Sequence, residues 1–361
     1  MIVGLPNVGK STLFNALTKT AVADAANYPF CTIEPNTGRV AVPDPRLTKI
    51  AGLAKSAEAI PTFLEFVDIA GLVRGAANGE GLGNQFLANI REVDAIIHVL
   101  RCFENSDITH VENSVDPIRD AATVETELML ADMESLERRM AALTKKTRGG
   151  DKQAAADLAL MEKLFAGLSD GLPARAVSGL TDDETLHLPQ LQLLTAKPVL
   201  YACNVTEDDS ATGNALSAAV AKKAAEEGAA NVIVSAAIEA EIATLSDEEA
   251  LEFITEIGLE EPGLNRLIRA GYALLDLLTF FTAGPKEARA WTVRNPATAP
   301  MAAGVIHTDF QRGFIRAETV GYEDYIACGG EAGAKDAGKL RIEGADYQVR
   351  DGDIFHFRFN V

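Results

Sequence analysis

The sequence predicts an α/β P-loop nucleotide-binding domain, interrupted by an antiparallel coiled-coil hairpin and followed by a small β-grasp module. Three observations carry this expectation. The stretch Gly4-Leu5-Pro6-Asn7-Val8-Gly9-Lys10-Ser11-Thr12 fits G-x-x-x-x-G-K-[ST] and sits between strand and helix signals. Between Ala121 and Leu168 the apolar residues fall into steps of three and four, the spacing of two helices that share a seam. The last eighty residues carry short strands with one short helix, too little chain for a second nucleotide domain.

The P-loop spacing follows from the chemistry of anion binding. Gly4 and Gly9 let successive backbone N–H groups curl around a phosphate without Cβ clashes. Lys10 brings positive charge to the β- and γ-phosphates, the Ser11 hydroxyl suits Mg²⁺, and Asn7, Val8 and Thr12 complete the loop that touches nucleotide. The run Ser11 to Thr18 reads as a helix with Leu13, Phe14 and Leu17 on one side, so its positive end faces the same phosphates. Only Met1, Ile2 and Val3 precede Gly4, whereas a buried first strand usually runs about five or six residues. Either that strand is short or the chain starts a few residues late.

Downstream, Asn27–Asn36 is irregular and holds Thr32, a candidate to close onto Mg²⁺ in the presence of a γ-phosphate; a plain surface threonine is the alternative. Thr37–Val42 and Thr62–Ile69 read as strands. The second ends in Asp68-Ile69-Ala70-Gly71-Leu72, a D-x-x-G that offers a carboxylate to the Mg²⁺ shell and the Gly71 N–H to the γ-phosphate. Small GTPases usually place a water-orienting glutamine next, but Leu72 has no group for that task. Gly75–Gly83 is glycine-rich and suits a switch loop.

Asp94–Leu100 is a near-continuous apolar run, as expected of a buried parallel strand, with His98 as a core histidine. His110 falls in the polar stretch Glu104–Pro117. It is either a surface loop histidine or, given Leu72, a water-positioning group. Met129, Met133, Leu136, Met140 and Leu143 pair with Ala154, Leu158, Met161, Phe165 and Leu168 as the hairpin seam, turning at Gly149-Gly150. The tip carries Lys145, Lys146, Arg148 and Lys152, which form either a solvated turn or a contact for RNA phosphates.

Strand text resumes at Pro198–Cys203 and leads into Asn204-Val205-Thr206-Glu207, an altered form of the base-reading N-K-x-D. The aspartate of that motif accepts two hydrogen bonds from guanine, so Val205 and the longer Glu207 should weaken guanine selection without by themselves creating adenine affinity. Asn231–Ser235 is a further strand, ending at a small base-contacting loop, Ser235-Ala236. Helical text continues to about Leu278. Strands at Ala290–Val293, Ile315–Thr319 and Ile354–Phe359, a short helix at Tyr322–Cys328 and the basic-aromatic Arg312-Gly-Phe-Ile-Arg316 make up the tail.

Composition sets the outer bounds. A chain of 361 residues suggests two or three domains, and 47% hydrophobic with 24% charged residues is globular. No apolar run approaches the roughly 20 residues of a membrane span and no signal peptide is visible, so a cytoplasmic protein is expected. Cys31, Cys102, Cys203 and Cys328 lack metal or disulfide spacing. The net charge of −19 argues against non-specific coating of nucleic acid, though not against a local basic patch.

With these residues in hand, the whole chain resembles the YchF/Obg-like ATPase family. Asn27–Asn36, Gly79-Glu-Gly-Leu-Gly-Asn-Gln-Phe86, Arg101-Cys-Phe103 and His307–Arg316 carry the resemblance beyond a generic P-loop. It implies a G domain in residues 1–117 and 196–275, a helical hairpin in 118–195 and a TGS domain in 276–359. It also implies preference for ATP over GTP through Asn204, Val205 and Glu207, a hydrophobic residue at Leu72 in place of the catalytic glutamine, and a hydrolytic role for the loop histidine, His110. Asn7 matches the P-loop asparagine that helps hold K⁺ in related potassium-stimulated nucleotidases. Mg²⁺ would then lie at Ser11, Thr32 and Asp68, and the ribosome would be met through rRNA contacts of the hairpin tip and TGS face, by a monomer. An Obg-type GTPase, or a binding module in which hydrolysis is only a slow timer, are the competing expectations.

Overall fold

The computed structural model describes residues 1–25, 37–68, 93–111 and 114–360, with the backbone alone at 20–25 and 247. Among the described residues seven strands precede the tail: β1 (Ile2–Val3), β2 (Thr37–Ala41), β3 (Glu58–Ile60), β4 (Phe63–Val67), β5 (Ile96–Arg101), β6 (Val199–Asn204) and β7 (Ala230–Val234). Four of them form a parallel sheet in the order β1-β5-β6-β7, and a bridge from Ile2 to Asp68 sets the end of β4 beside β1. Every residue of β5 and β6 is buried, as expected of strands covered on both faces. Helix Lys10–Ala25 buries Leu13, Phe14 and Leu17, the residues its periodicity singles out. His98 lies in the core as expected. Burial holds its pKa down to about 3, and its Nε2 makes no hydrogen bond among the described residues, so the ring is carried neutral.

The helical hairpin is present. Asp116 caps helix Pro117–Thr147 by accepting from the N–H groups of Ile118 and Arg119, with Pro117 preset for the first turn. Gly150 turns with φ of 84°, and Asp151 caps helix Lys152–Ser169 through the N–H groups of Gln153 and Ala154. The seam differs in part from the sequence reading. Leu136, Ala154, Met161 and Leu168 are buried in it, but Leu160 and Leu164 are buried too, while Leu158 is only half-buried. The second helix is therefore rotated from a strict heptad, because its apolar stripe also covers the turns at Ala174 and Leu193. Asp132, fully buried, ties the first helix to that segment by accepting from the N–H groups of Leu194 and Thr195, both at 2.8 Å, and from the Thr195 hydroxyl at 2.7 Å.

The remaining strands are β8 (Leu277–Ala283), β9 (Glu287–Arg294), β10 (Phe314–Gly321), β11 (Arg341–Glu343) and β12 (Asp353–Phe359). They form a mixed sheet in the order β11-β10-β12-β8-β9-β3, with helix Ala299–Ile306 packed on one face. The hairpin β8–β9 and the return of β12 parallel to β8 make the β-grasp pattern. The helical text expected to reach about Leu278 ends sooner, at Leu274, and Leu277–Ala283 pairs along its whole length with β9 as a strand that the sequence reading did not mark. A larger difference concerns boundaries. The chain divides into one unit of residues 1–19, 34–38 and 66–274, and a second of 20–33, 39–65 and 275–361. Residues 39–65 thus fold with the tail rather than with the P-loop domain. Strand β3 pairs in parallel with β9, and Leu47 and Ile50 of helix Pro45–Ala54 enter the core around Phe281. Arg46 is held there by Asp44 and Asp351, which together raise its pKa against the cost of burial.

The Asp132 cluster makes a stability prediction. Asp132→Asn turns an acceptor of three buried bonds into a side chain that presents an N–H to other donors. It should lower the free energy of unfolding by about 2–4 kcal/mol; a urea midpoint equal to wild type would show that the cluster adds nothing.

Candidate nucleotide-binding site

The phosphate loop leaves β1 and enters helix Lys10–Ala25 through two backbone positions that only glycine fills. Gly4 has φ of 154°, and a Cβ there would meet the Val99 carbonyl oxygen of β5 at 2.5 Å. Gly9 has φ of 98°, and a Cβ there would strike the Asn204 amide at 2.3 Å. Asn7, at φ of 61°, also takes the left-handed conformation, one that asparagine tolerates. Lys10 is buried and donates from Nζ to the Leu5 carbonyl at 3.0 Å. Burial lowers its pKa while the nearby charge of Asp68 opposes that, so the carboxylate helps keep the ammonium charged. Ser11 and Thr12 are exposed at the helix start and Val8 is buried beneath the loop. Ser11 at an open helix N-terminus and the carboxylate of Asp68 are the donor types that Mg²⁺ takes, so the described part of the metal set fits the ion. Thr32, Gly71 and Leu72 lie outside the described residues. Among the described residues no group of three or more acidic, histidine or cysteine side chains is gathered as a metal cluster.

The candidate base side lies at the ends of β6 and β7. Asn204 closes β6, is buried, and spends its amide at both ends: Nδ2 donates to the Val8 carbonyl at 2.9 Å and Oδ1 accepts from the Ala236 N–H at 2.9 Å. The side chain therefore fastens the P-loop to the start of helix Ala236–Ile242, where the sequence reading placed a small loop. Val205 is buried and its N–H bonds to the Val234 carbonyl, so that residue packs rather than touches a ligand by its side chain. Glu207 is exposed, in a turn closed by Ser210, whose N–H donates to its carbonyl at 3.1 Å. Ser235 is buried with a hydroxyl that makes no hydrogen bond among the described residues. It precedes helix Ala236–Ile242, in which Glu239 is buried and accepts from the Gly263 N–H at 2.7 Å. Burial raises the Glu239 carboxyl to about 6, against the pull of that bond and of Arg266.

His110 departs from one of its two sequence expectations, that of a surface loop histidine. It is buried, not on the surface, and its Nε2 donates to the Asp120 carboxylate at 2.8 Å. Asp120, also buried, takes a second bond from Arg119 at 3.0 Å. A carboxylate on Nε2 fixes the tautomer that puts the ring's lone pair on Nδ1, the arrangement of a base oriented by a third group. The preceding residue touches the P-loop: Asn7 donates from Nδ2 to the Thr109 carbonyl at 3.1 Å. Sequence reasoning missed Asp120. Its only signal is a place in the first turn of a helix opened by Asp116-Pro117, and no short motif links it to His110.

Comparison with known proteins gives one consistent set of relatives. A family model described as "50S ribosome-binding GTPase" matches residues 1–132. The YchF-GTPase_C model, described as "Protein of unknown function (DUF933)", matches residues 277–360. The chain is 60% identical over 360 residues to the "Ribosome-binding ATPase YchF" of Haemophilus influenzae, covering all of this chain and 98% of that one. The protein of the same name from Bacillus subtilis is 54% identical over 362 residues, again across all of this chain and 98% of the other. Among solved structures, the Schizosaccharomyces pombe YchF GTPase superposes with a TM-score of 0.88 at 39% identity, covering 99% of this chain and 96% of that one.

Two measurements test the site's construction. Asn204→Ala strands a buried carbonyl and a buried N–H, so it should cost about 2–4 kcal/mol in urea unfolding and weaken nucleotide binding as the P-loop loosens; a wild-type unfolding midpoint would refute the brace. Glu239 makes a pH prediction. Its folded carboxyl titrates near 6 against 4.5 for the ordinary group, so the folded protein holds the proton longer than the unfolded chain. Stability from this group is greatest below pH 4.5 and falls by about 2 kcal/mol as pH rises to 6, then stays level. Glu239→Gln should lack that step in a pH series of unfolding midpoints, and an unchanged step would assign it elsewhere.

Proposed function

We propose that this chain, which belongs to the YchF family of P-loop nucleotidases, is a ribosome-associated ATPase that acts as a nucleotide-dependent regulator in translation or stress response. The observation that carries the nucleotide choice is the use made of Asn204-Val205-Thr206-Glu207. Asn204 is committed to two backbone groups and Val205 is buried, so discrimination of the base edge falls to Glu207 and to the Ser235 hydroxyl. A carboxylate one methylene longer than aspartate no longer matches the paired donors of guanine. The relatives' names agree with an ATPase that binds ribosomes. The descriptions as GTPases attached to the family model and the solved structure keep an Obg-type GTPase as the second reading.

In this reading Lys10, the loop amides and Ser11 hold the triphosphate. Asp68 and Ser11, with Thr32, would hold Mg²⁺, which would supply charge neutralisation to the triphosphate when bound. Asn7 provides an amide oxygen suited to K⁺. Gly71 senses the γ-phosphate, while Leu72 contributes no polar group. His110, its tautomer set by Asp120, takes the place of the missing glutamine in orienting water. The exposed Lys145, Lys146 and Arg148 at the hairpin tip, together with the β-grasp module, offer charge and surface for rRNA. The protein works as a monomer in the cytoplasm, and among the described residues no helix is long and apolar enough to cross a membrane.

Competition of unlabelled ATP and GTP against a fluorescent analogue, in Mg²⁺ and K⁺, decides the base. A clear ATP preference is expected, and equal affinity or a GTP preference would move the protein to the GTPase reading. His110→Ala should leave the ATP dissociation constant near wild type and lower single-turnover hydrolysis by about tenfold or more; undiminished hydrolysis would remove His110 from the mechanism.

A further inference from the structure

We propose that Arg101 is a positioning residue: its guanidinium sets the place of the Thr109–His110 segment against the P-loop. Arg101 is the last residue of β5 and is 1% exposed, the largest side chain so deeply buried. No carboxylate pairs with it among the described residues. Its three nitrogens donate instead to three carbonyls of the following loop: Nε to Phe103 at 3.1 Å, one terminal nitrogen to Ile108 at 2.9 Å and the other to Asn105 at 2.9 Å. The guanidinium carbon also lies 4.8 Å from the centre of the Phe103 ring.

The loop needs this fastening. Residues 104–109 are all exposed, Ile108 included, so no apolar core of their own fixes them. Their internal bonds are few: the Asn105 side chain caps the Asp107 N–H at 2.8 Å, and the Ile108 N–H reaches the Asn105 carbonyl at a long 3.4 Å. Arg101 grips the loop from the sheet as far as Ile108. The next residue accepts from Asn7 of the P-loop, and the one after it is His110 on Asp120. A rigid planar fork gripping carbonyls across six residues fixes where residues 109 and 110 emerge, and a lysine ammonium cannot span the same acceptors. A buried cation satisfied only by main-chain oxygens is costly for stability alone, whereas a hydrophobic residue would fill the same space. What the fork adds is loop placement.

The catalytic consequence rests on the reading that His110 takes part in hydrolysis. The test uses the full chain with Arg101→Lys, His110→Ala and the double variant, followed by single-turnover ATP hydrolysis, equilibrium ATP binding and NMR of the histidine rings. Arg101→Lys should shift the His110 ring signals and leave those of His187, His307 and His356 in place. Hydrolysis should fall about tenfold with the ATP dissociation constant within about twofold, and the same substitution should add little in the His110→Ala background. Unmoved His110 signals, or an equal loss of hydrolysis with and without His110, would overturn the assignment. Wild-type hydrolysis by His110→Ala would instead sink the role of His110, and shifted ring signals in Arg101→Lys would still support the placement. Should Arg101→Lys fail to fold, Phe103→Leu removes only the ring beside the guanidinium. It should move the same His110 signals, and unmoved signals there overturn the proposal equally.

Discussion

The amide of Asn204 is the constraint on which the site depends. One end holds the P-loop at Val8 and the other holds the first residue of the helix after β7, Ala236. Phosphate and base surfaces, which come from distant parts of the sequence, are thereby fixed to one group at the end of the central strand. The geometry explains why Gly9 has no side chain: the space for a Cβ is already taken by that amide. The parallel sheet brings the carboxyl ends of β1, β5 and β6 to one edge, where ligands of open α/β sheets bind. Arg101 and Asn204 are direct neighbours across β5 and β6, so the fastener of the histidine loop and that of the P-loop sit side by side.

Much of this was legible in the sequence, for reasons that are local. The P-loop is a contiguous motif, β5 and β6 are mostly apolar runs, and the hairpin helices carry their own caps at Asp116 and Asp151. What escaped depends on contacts between residues far apart in the chain. Leu277–Ala283 has an apolar run with no alternation, and length alone does not separate such a strand from a buried helix. The burial of His110 depends on Asp120, which lies a loop and a helical turn away. A polar sequence around a histidine reads as surface because its hydrogen-bonding partner cannot be seen. The seam of the second hairpin helix shifted to Leu160 and Leu164 because it serves two neighbours at once.

Electrostatics is handled differently in the two halves of the site. In the phosphate loop a buried lysine is kept cationic by a carboxylate within reach, so the pocket keeps positive charge within a chain of net charge −19. In the histidine loop the cation is satisfied by main-chain dipoles and the acid is given to the imidazole. The first arrangement suits attraction of a polyanion. The second suits holding one tautomer.

The partnership of β3 with β9 bears on how the polypeptide is made. Glu58–Ile60 leaves the ribosome early, yet the strand it pairs with, Glu287–Arg294, is synthesised only after the whole P-loop unit has been made. Helix Pro45–Ala54 waits in the same way for Phe281 and its neighbours. During translation an unpaired strand edge and an uncovered helix face must therefore be carried by the nascent chain, the condition under which chaperones are recruited and mispairing occurs. Synthesis that halts before the last quarter of the message would leave these segments without a destination, so the β-grasp module completes an interrupted fold and is no detachable tail.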